Sequence, residues 1–174
     1  MVDTRTDWLA NIYSKTDFEG MLIMGKVDSD QEILEFAISK EVESYNFYLA
    51  LARRVDTDEI REVFEELARE ELEHKSRLEL ELIKTGRTTQ SQQEPNRRDR
   101  DYIISESSAL LDMDYKDVLL LAMEKEEAAF RTYVNLVANA RDEQMQDLLL
   151  ALAEEEVKHK IRFETEYDLL LKNT

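Results

Sequence analysis

The chain contains no cysteine, one proline and three glycines among its 174 residues. The absence of cysteine excludes disulfides, zinc ribbons and an iron centre held by thiolates on this chain. So few glycines and prolines, in a chain rich in Glu, Leu, Ala, Lys and Arg, indicate a mostly helical protein. The length suits one domain with a core of its own.

Positive charge is also scarce, with 23 Lys and Arg against 40 Asp and Glu and a formal net charge of −17. Such a charge repels phosphates, which argues against nucleic acid or an anionic membrane as a partner. No apolar run approaches the roughly 20 residues that span a bilayer. The first residues do not resemble a secretory signal peptide. Together these features predict a cytoplasmic protein.

Only two histidines occur in the chain, and each ends a Glu-x-x-His motif. The motifs are Glu71 to His74 and Glu156 to His159, 85 residues apart. Residues three apart on a helix share a face, so each motif offers a carboxylate and an imidazole to one point. One such motif is weak evidence because acidic helices produce it by chance, whereas a repeated one is a strong signal. The same offset relates two further pairs, Glu41 with Glu126 and Tyr48 with Tyr133.

The repeat extends well beyond these residues, because residues 32–82 align with 117–167 without a gap. Apolar residues recur at spacings of three and four, which predicts two duplicated helical hairpins. The predicted helices cover about residues 29–55, 58–85, 115–140 and 143–171, with a long crossover at 87–114. Two hairpins joined by one long connection predict an all-α, ferritin-like four-helix bundle over residues 29–174.

Residues outside the two hairpins are harder to interpret. Residues 1–28 form an N-terminal arm or cap, either over one end of the core or, alternatively, as a dimer contact or swapped arm. A short helix is predicted at 102–111 within the crossover.

Helical geometry selects which acidic residues face inward. At about 100° per residue, Glu71 lies about 20° from the centre of its apolar stripe, His74 about 40° and the repeated Glu70 about 80°. Glu156 and His159 rank in the same order. Glu41 and Glu126 lie near the stripe centres of the first and third helices.

Four inward carboxylates need a compensating charge, because burying them unpaired is very costly. The repeated lysines lie at the stripe edge or outside it. Two divalent cations balance four carboxylates, and mixed carboxylate and imidazole ligation suits iron or manganese, with zinc also able to bind. The alternative is a metal-free bundle with satisfied or protonated interior groups. The predicted metal ligands are Glu41, Glu71, His74, Glu126, Glu156 and His159.

Tyr48 and Tyr133 share the face of Glu41 and Glu126 two turns further on. They are either core aromatics with satisfied hydroxyls or groups that donate hydrogen bonds to ligand carboxylates and so take part in catalysis indirectly.

With these residues placed, the chain resembles the rubrerythrin branch of the ferritin-like di-iron carboxylate proteins over about residues 30–84 and 115–171. The resemblance implies two iron ions that react with peroxide or dioxygen. It implies that Glu71 and Glu156 bridge the irons, that Glu41 and Glu126 are terminal ligands, and that each histidine binds one iron.

Two departures limit the resemblance. Rubrerythrins usually add a rubredoxin domain with a cysteine-ligated iron, so electrons for this chain would come from a separate donor protein. The family also carries a further Glu one turn after the third-helix ligand, where this chain has Ala129, with Ser44 at the repeated position. A switch of ligands and efficient peroxidase activity are therefore not implied.

The leading hypothesis is a di-iron oxidoreductase that reduces peroxide or dioxygen, or oxidises Fe(II). The alternatives are an iron-storage or metal-binding protein without turnover and a metal-free interaction module. A homodimer is also predicted.

Overall fold

The computed structural model describes residues 29–86 and 114–172, which form four helices. The helices are α1 (Asp30–Ala52), α2 (Asp58–Lys84), α3 (Tyr115–Asn139) and α4 (Glu143–Lys172).

Two predicted features lie outside the described residues. They are the arm or cap at 1–28 and the connecting segment of the crossover with its short helix at 102–111.

The helix ends follow the capping signals in the sequence. Ser29 accepts a hydrogen bond from the Glu32 backbone N–H, and the Glu32 carboxylate accepts one from the Ser29 N–H, which completes the predicted capping box. Gly86 follows α2 with a φ of 78°, a conformation that favours glycine. The prediction for α1 was three residues too long. No glycine or proline marks its end, which is a turn closed by the Arg54 N–H on the Leu51 carbonyl at 2.9 Å.

The helices pair as two antiparallel hairpins, α1 with α2 and α3 with α4. At one end of the bundle the Arg141 N–H donates to the Asp30 carboxylate at 3.0 Å, which joins the end of α3 to the start of α1. The end of α2 lies at this same end, whereas the start of α3 lies at the other, as the predicted long crossover requires. The ferritin-like four-helix bundle is therefore confirmed.

Two apolar clusters fill the bundle, one toward each end. The first, here called the aromatic cluster, comprises Phe47, Tyr48, Leu51, Ala52, Phe64, Leu67, Ala68, Val118, Leu119, Leu121, Ala122 and Phe163. The second, here called the aliphatic cluster, comprises Ile33, Leu34, Ala37, Leu78, Leu82, Tyr133, Leu136, Ala140, Met145, Leu149, Leu152 and Ala153.

The inward faces agree with the periodicity of the sequence. In α2, the residues that recur at spacings of three and four are all buried; they are Phe64, Leu67, Ala68, Glu71, His74, Leu78 and Leu82. In the other helices, four residues on the apolar stripes are only partly buried; they are Tyr45, Phe130, Val137 and Tyr167. Across the described segments, no helix combines the length and apolar character needed to cross a membrane.

Candidate metal centre

Six polar side chains from all four helices meet between the two apolar clusters, and each is at most 6% exposed. α1 and α3 each supply one carboxylate, and α2 and α4 each supply a carboxylate and an imidazole. They are Glu41, Glu71, His74, Glu126, Glu156 and His159, the same six residues that the sequence singled out.

These side chains form two overlapping groups that share Glu71 and Glu156. The first group adds Glu41 and His74, and the second adds Glu126 and His159. Within each group the candidate ligand atoms all lie within 4.8 Å of one another. Each group is therefore small enough to surround one metal ion.

Each shared carboxylate presents one oxygen to each group. Glu71 places Oε2 3.4 Å from Nδ1 of His74 and Oε1 3.8 Å from Nδ1 of His159. Glu156 places Oε1 3.4 Å from Nδ1 of His74 and Oε2 3.6 Å from Nδ1 of His159. The two imidazole rings lie nearly parallel with centroids 5.8 Å apart. Both shared carboxylates can therefore offer an oxygen to each group.

The donor atoms of the cluster fit metal ions because the protein leaves them without other partners. Within the described residues, each of the six side chains has at least one buried oxygen or nitrogen with no hydrogen-bond partner. Such orphaned groups are costly unless a ligand satisfies them. The atoms are Glu41 Oε2, Glu71 Oε1 and Oε2, His74 Nδ1, Glu126 Oε1, Glu156 Oε1 and His159 Nδ1.

The other nitrogen of each imidazole is held by a carboxylate from the opposite hairpin. His74 Nε2 lies 2.7 Å from Glu155 Oε2, and His159 Nε2 lies 2.6 Å from Glu70 Oε2. Arg77 donates to both oxygens of Glu155 at 2.9 Å. A carboxylate on Nε2 fixes the ring and its tautomer so that Nδ1 is free to bind metal.

Sequence reasoning did not assign a role to Glu70 or Glu155. The usable signal was their repetition at the 85-residue offset together with their position at the edge of the apolar stripe. That edge faces the neighbouring helix, where the opposite histidine lies.

The two tyrosines differ from each other. The hydroxyl of Tyr133 donates to Oε1 of Glu41, a short contact across the bundle. Tyr48 is fully buried, and its hydroxyl finds no hydrogen-bond partner among the described residues. Tyr133 thus makes the expected contact with a ligand carboxylate, and Tyr48 does not. A catalytic role for either one stays a prediction.

Protons take the place of cation charge in the metal-free cluster. Burial, reinforced by the charge of Glu156, raises the pKa of Glu71 and of Glu126 well above the usual range. Burial disfavours a charged His159, yet Glu126 and Glu156 outweigh it and raise its pKa to about 11. Burial also disfavours a charged His74, but Glu156, Glu41 and Glu71 outweigh burial and raise the pKa of this imidazole.

Glu156 differs from Glu71 and Glu126. Burial favours its neutral form, but the adjacent His159 and His74 outweigh burial and lower its pKa below the usual range. The carboxylates thus favour protons on the imidazoles, and the imidazoles favour an ionised Glu156. A metal ion would have to displace these protons, since only deprotonated ligands bind it.

The family model described as Rubrerythrin matches residues 32–167, which is more than half of the chain. The chain belongs to the rubrerythrin family. The matched segment contains the whole buried cluster. The rubrerythrin resemblance drawn from the repeated motifs is thereby confirmed.

A solved structure provides a second comparison. This rubrerythrin-family chain is similar to a hypothetical protein from Pyrococcus furiosus, with 26% sequence identity and a TM-score of 0.63. The match covers 86% of this chain and 96% of the other. No curated protein matches the sequence.

Family membership and the buried cluster together indicate a metal-binding protein. The cluster contains two imidazoles and four carboxylates, a mixed ligand set that suits iron, manganese or zinc.

Proposed function

We propose that the cluster of this rubrerythrin-family protein binds two iron ions and that the protein is a di-iron oxidoreductase. Its reaction is the reduction of peroxide or dioxygen, or the oxidation of Fe(II). One observation carries the proposal: Glu71 and Glu156 each present one oxygen to each histidine. When bound, two irons supply Lewis acidity and one electron each, which is the chemistry that two-electron reduction of peroxide requires.

The ligand roles follow from the two groups. Glu71 and Glu156 belong to both groups and would help to hold both metals. Glu41 and Glu126 each belong to one group and would each help to hold one metal. Two divalent cations neutralise the four carboxylates, so the fully loaded centre carries no large net charge inside the apolar core.

The residues around the ligands hold the donor atoms in place. Glu155 and Glu70 orient the two imidazoles through Nε2. Tyr133 holds its hydroxyl proton on Glu41 Oε1 and so fixes the direction of the other oxygen of that carboxylate. These contacts hold the donor atoms in the arrangement that the cations would need.

The apolar clusters exclude water from the centre on both sides. The rings of Phe64 and Phe163 are stacked against each other with centroids 6.1 Å apart and are at most 1% exposed. In a site with little water, charge interactions are stronger than at the surface. Such burial favours peroxide and dioxygen over larger substrates.

Electrons and partners are part of the proposal. The chain has no cysteine to hold a thiolate-ligated iron, so a separate donor protein would supply electrons. The predicted homodimer and cytoplasmic location stay predictions. Size-exclusion chromatography tests the predicted homodimer. A dimer would also count against an iron-storage cage.

Stopped-flow absorption on the Fe(II)-loaded protein tests the activity. Mixing with hydrogen peroxide or dioxygen should produce an oxidation band, and Glu71→Gln should abolish it. Glu73→Gln is the matched control, because Glu73 lies two residues away on the same helix and is exposed. Absence of a band with either oxidant would overturn the oxidoreductase, and continued uptake far beyond two irons per chain would favour storage.

A further inference from the structure

The two metal positions are related by the repeat but differ in their surroundings. The His74 position is defined by Glu41, Glu71, His74 and Glu156, and the His159 position by Glu71, Glu126, Glu156 and His159. We infer, resting on the proposed function, that these positions are unequal. The His74 position takes the first divalent cation and binds it more tightly, and the His159 position holds the more readily exchanged one.

The first difference is the anchoring of the terminal carboxylate. At the His74 position, Tyr133 donates its hydroxyl to Glu41. The equivalent contact at the other position would join Tyr48 to Glu126. It is not made, because the Tyr48 hydroxyl and Glu126 Oε1 both lack a partner among the described residues. A tyrosine hydroxyl therefore holds Glu41, whereas Tyr48 does not hold Glu126.

The sequence offers a reason for this difference. The ring of Tyr48 is stacked with Phe64 at 6.3 Å and with Phe163 at 6.2 Å, which ties it to the aromatic cluster. The residues at the repeated positions are Leu149 and Leu78, both in the aliphatic cluster with Tyr133. Among the described residues, no ring is stacked on Tyr133 to compete with its contact to Glu41.

The second difference is the support of the histidine. At the His74 position, Glu155 contacts Nε2 and is itself held by Arg77 through both oxygens at 2.9 Å. At the other position, Glu70 contacts His159, but the equivalent Arg162 donates instead to Glu66 at 2.7 Å.

This second difference also has a cause in the sequence. Glu66 offers Arg162 a carboxylate one turn before Glu70, whereas the repeated position on α4 is Ala151. Arg77 has no such competing partner there and stays on Glu155. The two differences arise from separate substitutions between the repeats, and both favour the His74 position.

The distances agree with this ranking. Nδ1 of His74 lies 3.4 Å from the nearest oxygens of its three carboxylates. Nδ1 of His159 lies 3.6 to 3.8 Å from its three. Preorganised donors bind more tightly because less ordering accompanies binding.

Calorimetric titration of the metal-free, full-length protein with Mn(II) under anaerobic conditions tests the inference. Wild type should show two steps of unequal affinity. Tyr133→Phe and Arg77→Gln should each weaken the tighter step by about 10- to 100-fold, the usual loss when an outer partner of a ligand is removed. The matched variants Tyr48→Phe and Arg162→Gln should leave that step unchanged.

One further variant makes the repeats more alike. Glu66→Ala reproduces the Ala151 environment and frees Arg162 to pair with Glu70, so it should tighten the weaker step and leave the tighter one alone. Circular dichroism of each variant controls for folding. Should Tyr133→Phe fail to fold, the Arg77 and Glu66 variants, whose side chains lie at the surface, decide the matter alone.

The outcomes separate the inference from the proposed function. If two Mn(II) ions bind with equal affinity, the two positions are not unequal, but the dinuclear site stands. The same holds if Tyr48→Phe weakens the tighter step as much as Tyr133→Phe does. If wild type binds no Mn(II), the unequal positions and the dinuclear site are both wrong.

Discussion

The middle of the bundle and its two ends are built on opposite principles. The aromatic and aliphatic clusters bury apolar side chains, which stabilises the fold by about 25 cal/mol for each Å² of apolar surface removed from water. The middle instead buries four carboxylates and two imidazoles that lack full hydrogen bonding in the described residues. Burying such groups opposes folding.

This contrast teaches that stability and function are separated along the bundle axis. The apolar surface buried at the two ends stabilises the fold enough to offset a polar layer that destabilises the metal-free chain. Bound cations would compensate that layer in place of the protons. The comparison can be tested by changing one region and measuring whether the other responds.

The largest expected effect comes from truncating the aromatic cluster. Phe64 is fully buried and stacks on Tyr48 and Phe163. Phe64→Ala should lower the free energy of unfolding by about 3–5 kcal/mol, with or without metal. Denaturant unfolding measures it, and Leu169→Ala, at an exposed position, should change it by less than about 0.5 kcal/mol. A loss seen only in the metal-loaded protein would contradict the separation of the two regions.

Metal binding in the middle should raise the free energy of unfolding by about as much as Phe64→Ala lowers it. At a free metal concentration of about 1,000 times Kd, the free energy of unfolding should rise by about 4 kcal/mol. The rise should vanish in Glu71→Gln and persist in Glu73→Gln, measured by thermal unfolding with and without Mn(II). Equal stabilisation of both variants would mean that the metal binds elsewhere.

Between about pH 6 and pH 8, the pH dependence of the metal-free chain should come from the middle of the bundle. The pKa of His159 is raised to about 11, and the pKa values of His74, Glu71 and Glu126 are raised as well. The folded chain therefore binds more protons than the unfolded one. Its free energy of unfolding should fall between about pH 6 and pH 8, by up to about 1.4 kcal/mol per pH unit for each such group.

Glu156 adds no slope in this window, because its pKa is lowered and it is ionised in both states. The stabilisation from Mn(II) should have the opposite sign and grow with pH, since binding displaces protons. Denaturant unfolding across this range, with and without metal, measures both slopes. Rising stability of the metal-free chain would show that the protons are not held in the cluster.

The smallest expected effect lies at a helix end. Ser29 caps α1 with its side chain, whereas Thr57 precedes α2 without a side-chain hydrogen bond to the helix. Ser29→Ala should cost about 1 kcal/mol and Thr57→Ala clearly less, both independent of metal. A metal-dependent loss in Ser29→Ala would show that the helix end and the centre are coupled.

Much of this architecture was predictable because the chain is a repeat of strongly periodic helices. The starts of α2, α3 and α4 and the burial of all six cluster residues followed from period and offset. The failures came where the repeat is imperfect. The contact of Arg162 with Glu66 and the isolated hydroxyl of Tyr48 depend on neighbours that differ between the halves. An offset alone predicts symmetry and cannot show where it breaks.

The same limit applies to the carboxylates that hold the histidines. The angular position of Glu70 at the stripe edge is equally compatible with solvent and with a neighbouring helix. Only the packing of α2 against α4 places it 2.6 Å from His159. Which carboxylate of the opposite hairpin holds each histidine therefore could not be predicted from the sequence.

The most direct test of a cation pair in the polar middle is anomalous scattering from crystals of the iron-loaded, full-length protein, recorded above and below the iron absorption edge. The account predicts two peaks per chain, both within reach of Glu71 and Glu156, one beside His74 and the other beside His159. Iron-specific peaks confined to the surface, or no peak between the four carboxylates, would contradict it.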